Sequence, residues 1–215
     1  MRIIGVLFLD EMPEFNKNTL DLLRGPIENG KVTINRTNAS IVYPCKFMLV
    51  ASMNPCPCGY YGSKEKECTC TEKAISKYMN KISGPLLDRI DIQVEVSPVK
   101  YTNLESNKKQ ETSTQIKQRV DKARNIQRSR YKEYNIFSNS ELTPSLIEKF
   151  CKLNSESEKL LQIAFERLGL SARAYTRILK VARTIADLEG TEKIETRHVS
   201  EAIQYRSLDR KYWKN

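Results

Sequence analysis

The sequence predicts a mixed α/β segment over residues 1–100, followed by an all-helical segment over residues 101–215. Two apolar runs, residues 3–9 and 47–52, have the continuous hydrophobic character of core strands that are buried on both faces of a sheet. After Pro98 the apolar residues recur instead at the spacing of helices. This change of period predicts a domain boundary between the two segments.

Shorter elements complete the α/β segment. Residues 18–23 have a helical pattern. Residues 31–36 and 39–43 are strand-like and lie on either side of Asn38, which predicts a β-hairpin with its turn near that residue. Residues 90–96 alternate between apolar and polar side chains and predict a third core strand.

The all-helical segment begins with a polar linker over residues 101–111. Ile116, Val120 and Ala123 then mark the apolar side of a basic amphipathic helix. Four further helices follow, because apolar residues recur at helical spacing after capping signals. Their predicted ranges are 144–153, 155–168, 172–188 and 196–204, with start signals at Thr143, Ser155, Ser171 and Thr196.

The chain is basic, with a formal net charge of +10. This excess favours an anionic partner: nucleic acid, a nucleotide or an acidic lipid surface. No apolar run reaches the roughly eighteen residues that a membrane-spanning helix needs. The first apolar run is interrupted at Asp10 and Glu11, too early for a secretory signal, so we expect a cytoplasmic protein.

Two polar positions directly follow the predicted core strands. Asp10 and Glu11 end the first strand, as in a Walker B element, where one carboxylate holds Mg²⁺ and the other orients and polarises water. Asn54 follows the second strand, where its amide can contact a γ-phosphate or the attacking water. Taken singly, each pattern is also typical of an ordinary strand exit or of a turn that begins at Asn-Pro.

Arginines at two further places are candidates for contact with a nucleotide. Arg89, just before residues 90–96, is either a member of a structural ion pair or an arginine finger that reaches the nucleotide of a neighbouring subunit. Arg173 lies in the first turn of a helix that Ser171 can cap, where the helix dipole and the guanidinium both suit phosphate. Arg177 lies one turn later.

Five strings of this sequence resemble successive blocks of the magnesium-chelatase-like family of AAA+ ATPases, with the best match in its YifB/ComM competence-protein group. The strings are GVLFLDEMPEF, LDLLRGPIENGKVTINR, YPCKFMLVASMNPCPCGYYG, SGPLLDRIDIQVEV and LSARAYTRILKVARTIADLEG. The resemblance implies a truncated α/β AAA+ core of the P-loop NTPase class, followed by an all-α lid domain.

The same resemblance implies ATP and Mg²⁺ as cofactors and a homo-oligomeric ring, usually a hexamer, that moves along DNA during recombination of imported DNA. The implied residue roles are Mg²⁺ coordination by Asp10, activation of water by Glu11, sensor 1 for Asn54, a trans arginine finger for Arg89, and sensor 2 for Arg173 or Arg177.

A phosphate-binding loop of the form G-x-x-x-x-G-K-[ST] is missing from the sequence upstream of Asp10. Residues 25–32 approach the pattern, but they miss it by one residue, because Val32 stands where a hydroxyl is required. They also follow a helical pattern, carry Glu28 and run into a strand, so they are predicted to be a helix-to-hairpin connection. We therefore expect this chain to be part of a longer protein and to hydrolyse no ATP alone.

Four cysteines form two C-x-C pairs, which in a cytoplasmic chain favours a metal over disulfides. Tetrahedral Zn²⁺ takes four such ligands, although four free thiols or an iron–sulfur cluster fit the same pattern. The candidate ligands are Cys56, Cys58, Cys68 and Cys70. Cys45 and Cys151 are isolated and predicted to be small buried residues, and His198 is predicted to be structural.

Basic residues suggest two places where DNA might be bound. The hairpin at residues 31–43 occupies the position of a pore hairpin in related helicases, where Lys31 and Arg36 could touch phosphates. The alternative is a solvated hairpin that packs on a neighbouring subunit. Residues 101–135 hold nine Lys and Arg against four acids, a net charge of +5, which is also typical of a solvated helix face.

Three functions remain open from the sequence. The first is part of a ring-forming DNA-processing ATPase motor in competence and recombination. The second is a magnesium chelatase-type chaperone subunit that acts on a protein–porphyrin complex. The third is a DNA- or protein-binding module without hydrolysis. The cysteine loop and the positive charge favour the first over the second.

Overall fold

The computed structural model describes residues 4–37, 39–96 and 111–206. Within these ranges the chain forms two compact units, the first ending at Ile90 and the second beginning at Asp91. Each unit has its own cluster of buried apolar side chains. The predicted linker over residues 101–111 lies almost entirely outside the described residues.

The first unit contains a parallel strand pair, an antiparallel hairpin and short helices. Its strands are β1 (Ile4–Leu9), β2 (Lys31–Arg36), β3 (Ala39–Pro44) and β4 (Lys46–Ala51). Its helices are α1 (Lys17–Leu22), α2 (Arg24–Asn29), α3 (Glu72–Met79) and α4 (Gly84–Leu87), with a 3-10 turn at Met12–Glu14. β1 pairs with β4 and β2 pairs with β3, which confirms both core strands and the hairpin, whereas the predicted turn residue Asn38 lies outside the described residues.

The parallel pair has one packed face and one exposed face. Leu7, Leu9 and Leu49 point into a core that also contains Leu20 and Leu86. The side chains of the opposite face are 39–63% exposed; they are Val6, Phe8, Met48 and Val50. The prediction that these strands are buried on both faces is therefore wrong for the described residues, because alternate residues of a strand point to opposite faces and only one face meets the core.

The predicted third strand at residues 90–96 is also wrong. Residues 92–96 have no regular secondary structure and pair with no strand of the described part of the chain. Instead, the Gln93 backbone N–H donates to the Tyr205 carbonyl at 3.0 Å, within the second unit. Alternation of side chains gives a strand only where a partner strand accepts its backbone hydrogen bonds.

Residues 25–32 are the helix-to-strand connection that the sequence predicts. Gly30 ends α2 with a φ of 61°, a left-handed conformation that glycine adopts without a steric penalty. Its N–H donates to the Pro26 carbonyl at 2.8 Å, and β2 then begins at Lys31. A phosphate-binding loop requires the opposite order, from strand to loop to helix.

The second unit is helical in its described residues. Its helices are α5 (Ser113–Arg130), α6 (Pro144–Phe150), α7 (Ser155–Leu168), α8 (Ala172–Glu189) and α9 (Thr196–Gln204), with a 3-10 turn at Asn139–Glu141. These bounds confirm the predicted helices. α8 lies at the centre and packs against α5, α6 and α9. In the ranges that the structure covers, every helix is too short or too polar to traverse a lipid bilayer.

Capping residues set the helix starts in the second unit. Ser171 caps α8 as predicted. Two other starts lie one residue before the predicted signals: Asn154 caps α7 by accepting the Ser157 N–H at 2.8 Å, and Glu195 precedes α9. The Glu195 N–H donates to Nδ1 of His198 at 2.9 Å, and this histidine is fully buried, in agreement with its predicted structural role.

A buried charge network joins α5 to α8. The fully buried side chain of Asp187 on α8 accepts hydrogen bonds from Arg130 (2.9 Å), Arg183 (3.1 Å), Gln127 (3.2 Å) and Asn139 (2.9 Å). Two cations and two amide groups thus replace the water that this carboxylate loses on folding. The network therefore fixes the positions of α5, α8 and the turn at residue 139.

We predict that Asp187→Ala destabilises the protein by about 3–5 kcal/mol, because it leaves two cations without their buried counter-ion. Urea unfolding followed by circular dichroism measures this loss. The matched control is Asp121→Ala, which removes an exposed carboxylate that pairs with Lys117 at 2.6 Å along α5. That change should cost at most about 0.5 kcal/mol. Equal losses in the two variants would contradict the structural role of the buried network.

Candidate functional site

The two parallel strands bring their carboxyl ends to one edge of the first unit. Leu9 of β1 lies opposite Ala51 of β4, and the ladder continues past both strands. The Ser52 N–H donates to the Leu9 carbonyl at 2.9 Å, and the Met12 N–H donates to the Ser52 carbonyl at 2.9 Å. These bonds hold the chain on either side of Asp10 and Glu11.

Ser52 connects the two predicted catalytic acids. Its hydroxyl donates to a carboxylate oxygen of Asp10 and accepts the backbone N–H of Glu11 at 3.1 Å. The carboxylates themselves are exposed at the strand edge. Sequence reasoning missed this serine, although its position directly after β4 matches that of Asp10 after β1 and could have indicated it.

The backbone of Glu11 is strained. Its φ of 50° and ψ of 50° lie in the left-handed region, which costs a non-glycine residue on the order of 1 kcal/mol or more. The conformation is fixed on one side by Ser52 and on the other by Met12 and Pro13, which are buried. Strain that the surrounding contacts maintain is typical of functional residues.

Asn54 lies two residues after Ser52, at the same edge, and its side chain is exposed. Tyr78 on α3 lies near this backbone, because the Asn54 N–H influences the pKa of the Tyr78 phenol. Burial raises the pKa of Tyr78, the hydrogen bond from Asn54 opposes this rise, and the charges of Glu14 and Glu11 add to it. The phenol therefore stays neutral at physiological pH and lies near Asn54, Glu11 and Glu14. Sequence reasoning did not single out Tyr78.

Arg89 is buried in an ion pair. Its Nε donates to Glu28 of α2 at 3.1 Å, Nη2 contacts the same carboxylate, and Nη1 donates to the Pro85 carbonyl at 2.6 Å. Only 7% of the Arg89 side chain is exposed. Within this chain the residue thus occupies the structural ion pair that was weighed against the arginine finger.

The two candidate sensor 2 arginines belong to the second unit. Arg173 lies in the first turn of α8 and is exposed. Arg177 forms an ion pair with Asp91 and is only 21% exposed. Arg173 is therefore the more accessible of the two.

The hairpin places its two candidate DNA-binding residues apart. Lys31 and Arg36 are at opposite ends of β2 and, being an odd number of residues apart, on opposite faces of the ribbon. Both are exposed. The hairpin therefore presents two separate positive charges and no single basic patch.

Acidic neighbours occupy part of the basic segment. Lys117 pairs with Asp121 at 2.6 Å, and Arg119 pairs with Glu111 at 2.5 Å. Arg130 is used by the buried network. The exposed basic side chains of the described segment also include Lys122, Arg128 and Lys132, whereas Lys108 and Lys109 lie outside the described residues.

The four predicted cysteine ligands are gathered into one cluster. Their Sγ atoms all lie within 4.8 Å of one another, and Cys56 is fully buried. The separations are 3.4 Å from Cys56 to Cys58, 3.7 Å from Cys56 to Cys68 and 3.5 Å from Cys58 to Cys68. Cys70 completes the cluster, and all four are free thiols.

The local backbone prepares part of this cluster for a cation. A hydrogen bond from the Tyr60 backbone lowers the pKa of the Cys58 thiol to about 5. Reduced contact with water raises the pKa of Cys70. Thiolates are the form that binds metals, so a bound cation would draw the remaining protons from the cluster.

Comparison with known proteins places both units in one family. The family described as magnesium chelatase, subunit ChlI, matches residues 2–104, and the one described as magnesium chelatase, subunit ChlI C-terminal, matches residues 110–206. Competence protein ComM of Haemophilus influenzae is 45% identical over 207 residues, or 96% of this chain. The protein YifB of Escherichia coli is 46% identical over 208 residues, and Rv2897c of Mycobacterium tuberculosis is 34% identical over 202.

This chain spans 40% of the length of each of these relatives. The similarity extends through the acidic strand edge, the cysteine cluster and the helical unit, because it covers 96% of the chain in the first two relatives. With both units matched, the chain belongs to the magnesium-chelatase-like family, in the group that includes ComM and YifB.

Proposed function

We propose that this chain is the C-terminal portion of an AAA+ ATPase that processes DNA as a ring. One observation carries the proposal: at the edge where β1 and β4 end, the Ser52 hydroxyl contacts both Asp10 and Glu11, and Asn54 lies at the same edge. An acid for Mg²⁺, an acid for water and an amide for phosphate are the groups that phosphoryl transfer requires at a strand end. The phosphate-binding loop would come from the part of the protein that this chain does not span.

In this proposal Asp10 would hold Mg²⁺, which would supply positive charge for phosphoryl transfer. Ser52 orients the Asp10 carboxylate through its hydroxyl. The strained backbone of Glu11 directs a second carboxylate to the same edge, where it accepts a hydrogen bond from the attacking water. Asn54 donates its amide N–H to the γ-phosphate or to that water.

The DNA-processing part of the proposal draws on the net charge of +10 and on the name of one relative, competence protein ComM. A recombination step on imported DNA is consistent with both. A chelatase-type chaperone is the second candidate, and the description of the matched families favours it. DNA binding and its salt dependence distinguish the two candidates.

We expect Glu11→Gln in the full-length protein to lower kcat for ATP hydrolysis by at least about 100-fold, because an amide cannot act as a base. ATP binding should stay within about threefold of wild type, because glutamine has nearly the same size and shape as glutamate. The control is Glu14→Gln, a nearby exposed carboxylate that contacts Lys81 at 3.6 Å. A coupled phosphate-release assay measures the rates. Unchanged turnover in Glu11→Gln would remove this residue from the role of base.

If Arg89 acts on the nucleotide of a neighbouring subunit, mixing wild-type subunits with mutant ones should restore ATP hydrolysis. In full-length rings, Arg89→Ala should reduce hydrolysis by about 10³-fold or more, and wild-type subunits should restore activity at the sites that they face. Glu28→Ala separates this role from a folding defect, because it breaks the same ion pair and keeps the arginine. If Glu28→Ala lowers both stability and activity as much as Arg89→Ala, or if monomers hydrolyse ATP at the full rate, the trans assignment fails.

DNA binding should depend strongly on salt and on the exposed face of α5. Lys122 and Arg128 are both exposed on that helix, so Lys122→Gln/Arg128→Gln should reduce the slope of log K against log salt by about two. The control Lys117→Gln/Arg119→Gln removes equal charge from side chains that already pair with acids. Fluorescence anisotropy with a labelled duplex measures both slopes. If both double variants reduce the salt slope equally, the assigned face of α5 is wrong. If the protein binds no DNA, the chelatase-type function is favoured.

A further inference from the structure

The cysteine cluster has the dimensions of a site for one metal ion. Zinc bound by four thiolates at about 2.3 Å in a tetrahedron holds its sulfurs about 3.8 Å apart. The sulfurs of Cys56, Cys58 and Cys68 are 3.4–3.7 Å apart, and that of Cys70 lies within 4.8 Å of each. We propose that these four residues bind a single Zn²⁺ in a closed structural site, and that this site fixes the loop that carries Asn54.

The alternatives fit these separations less well. A disulfide requires two sulfurs at about 2.0 Å, and all four thiols are free. An iron–sulfur cluster distributes its thiolates over several iron atoms and holds them farther apart than one ion does. Four unligated thiols have only weak S–H···S contacts to gather them from two segments of a loop. Because all four ligands come from the protein, no coordination position remains open for catalysis.

The loop between the two pairs is folded to direct both members of the first pair inward. Gly59 has a φ of 83°, a conformation that reverses the chain directly after Cys58. The Tyr61 N–H donates to the Cys56 sulfur at 3.3 Å, an interaction that stabilises metal-bound thiolates. The Lys66 ammonium lies 4.4 Å from the centre of the Tyr60 ring, a cation–π contact within the same loop.

Both ends of the cysteine segment are connected to the acidic edge. Only one residue separates Asn54 from Cys56. At the other end, Thr71 follows Cys70 and caps α3 by accepting the Ala74 N–H at 3.2 Å. α3 also carries Tyr78, whose pKa is influenced by the Asn54 backbone and by Glu11. Because Asn54 is joined to Cys56 through Pro55 alone, a metal ion held by the four cysteines would restrain Asn54.

The metal site does not depend on the proposed ATPase function, whereas the positioning of a catalytic Asn54 does. The first experiment therefore uses no nucleotide. The 215-residue chain is purified without chelator from medium containing ZnCl₂, and its metal content is measured by plasma mass spectrometry. We expect about one zinc per chain, falling below about 0.2 in Cys58→Ser/Cys70→Ser.

Cys45→Ser is the matched control, because this half-buried cysteine lies outside the cluster, and it should retain full zinc. Should the double variant fail to fold, chelation of the wild-type chain followed by titration with Co²⁺ gives the same information, because tetrahedral thiolate coordination produces intense visible absorption. Zinc below about 0.2 per chain in the wild type, iron in its place, or disulfides among the four cysteines would overturn the site.

The second measurement is hydrogen exchange of the wild-type chain with and without zinc. Removal of the ion should accelerate exchange at Asn54 and Tyr61 by at least about tenfold, while α8 in the second unit keeps its protection as an internal control. If zinc binds with full stoichiometry but its removal leaves exchange at Asn54 unchanged, the positioning role is wrong. Neither result depends on hydrolysis, so a failure of this inference is distinguishable from a failure of the proposed ATPase function.

Discussion

The parallel pairing of β1 with β4 is the constraint on which the candidate site depends. The register that sets Leu9 opposite Ala51 also sets Asp10 beside Ser52, and the backbone bonds that extend the ladder fix Glu11 in a left-handed conformation. A slip of one residue would turn the packed leucines to solvent and remove Ser52 from both acids. The core of the first unit and the geometry of its acidic edge are thus set by the same hydrogen bonds.

The cysteine segment extends this edge. Asn54 at the strand exit is joined to Cys56 through Pro55 alone, and the Tyr61 N–H donates to the Cys56 sulfur within the loop. A loop of this length has little apolar material of its own, so its order depends on contacts at its ends and on whatever occupies the sulfur cluster. Under the proposed zinc site, an ion held by the four cysteines would restrain Asn54, a side chain beside the acids.

The second unit is built on a different principle. Its core surrounds α8. The relative positions of its helices are set by a buried carboxylate, Asp187, which accepts hydrogen bonds from α5 and from the turn at Asn139. Three basic residues of α5 pair with acids, namely Arg130, Arg119 and Lys117. The exposed cations that remain on this helix are therefore the ones that bear on DNA binding.

The sequence by itself determined most of the secondary structure, the family and the four clustered cysteines, because periodicity, capping residues and motif spacing are local properties. It also rejected residues 25–32 as a phosphate-binding loop on local grounds. Only the tertiary structure decided that residues 90–96 form no strand, that one face of the parallel pair is exposed, and that Arg89 pairs with Glu28. It alone revealed Ser52 and Tyr78, because contacts between residues 24 to 61 positions apart leave no periodic signal.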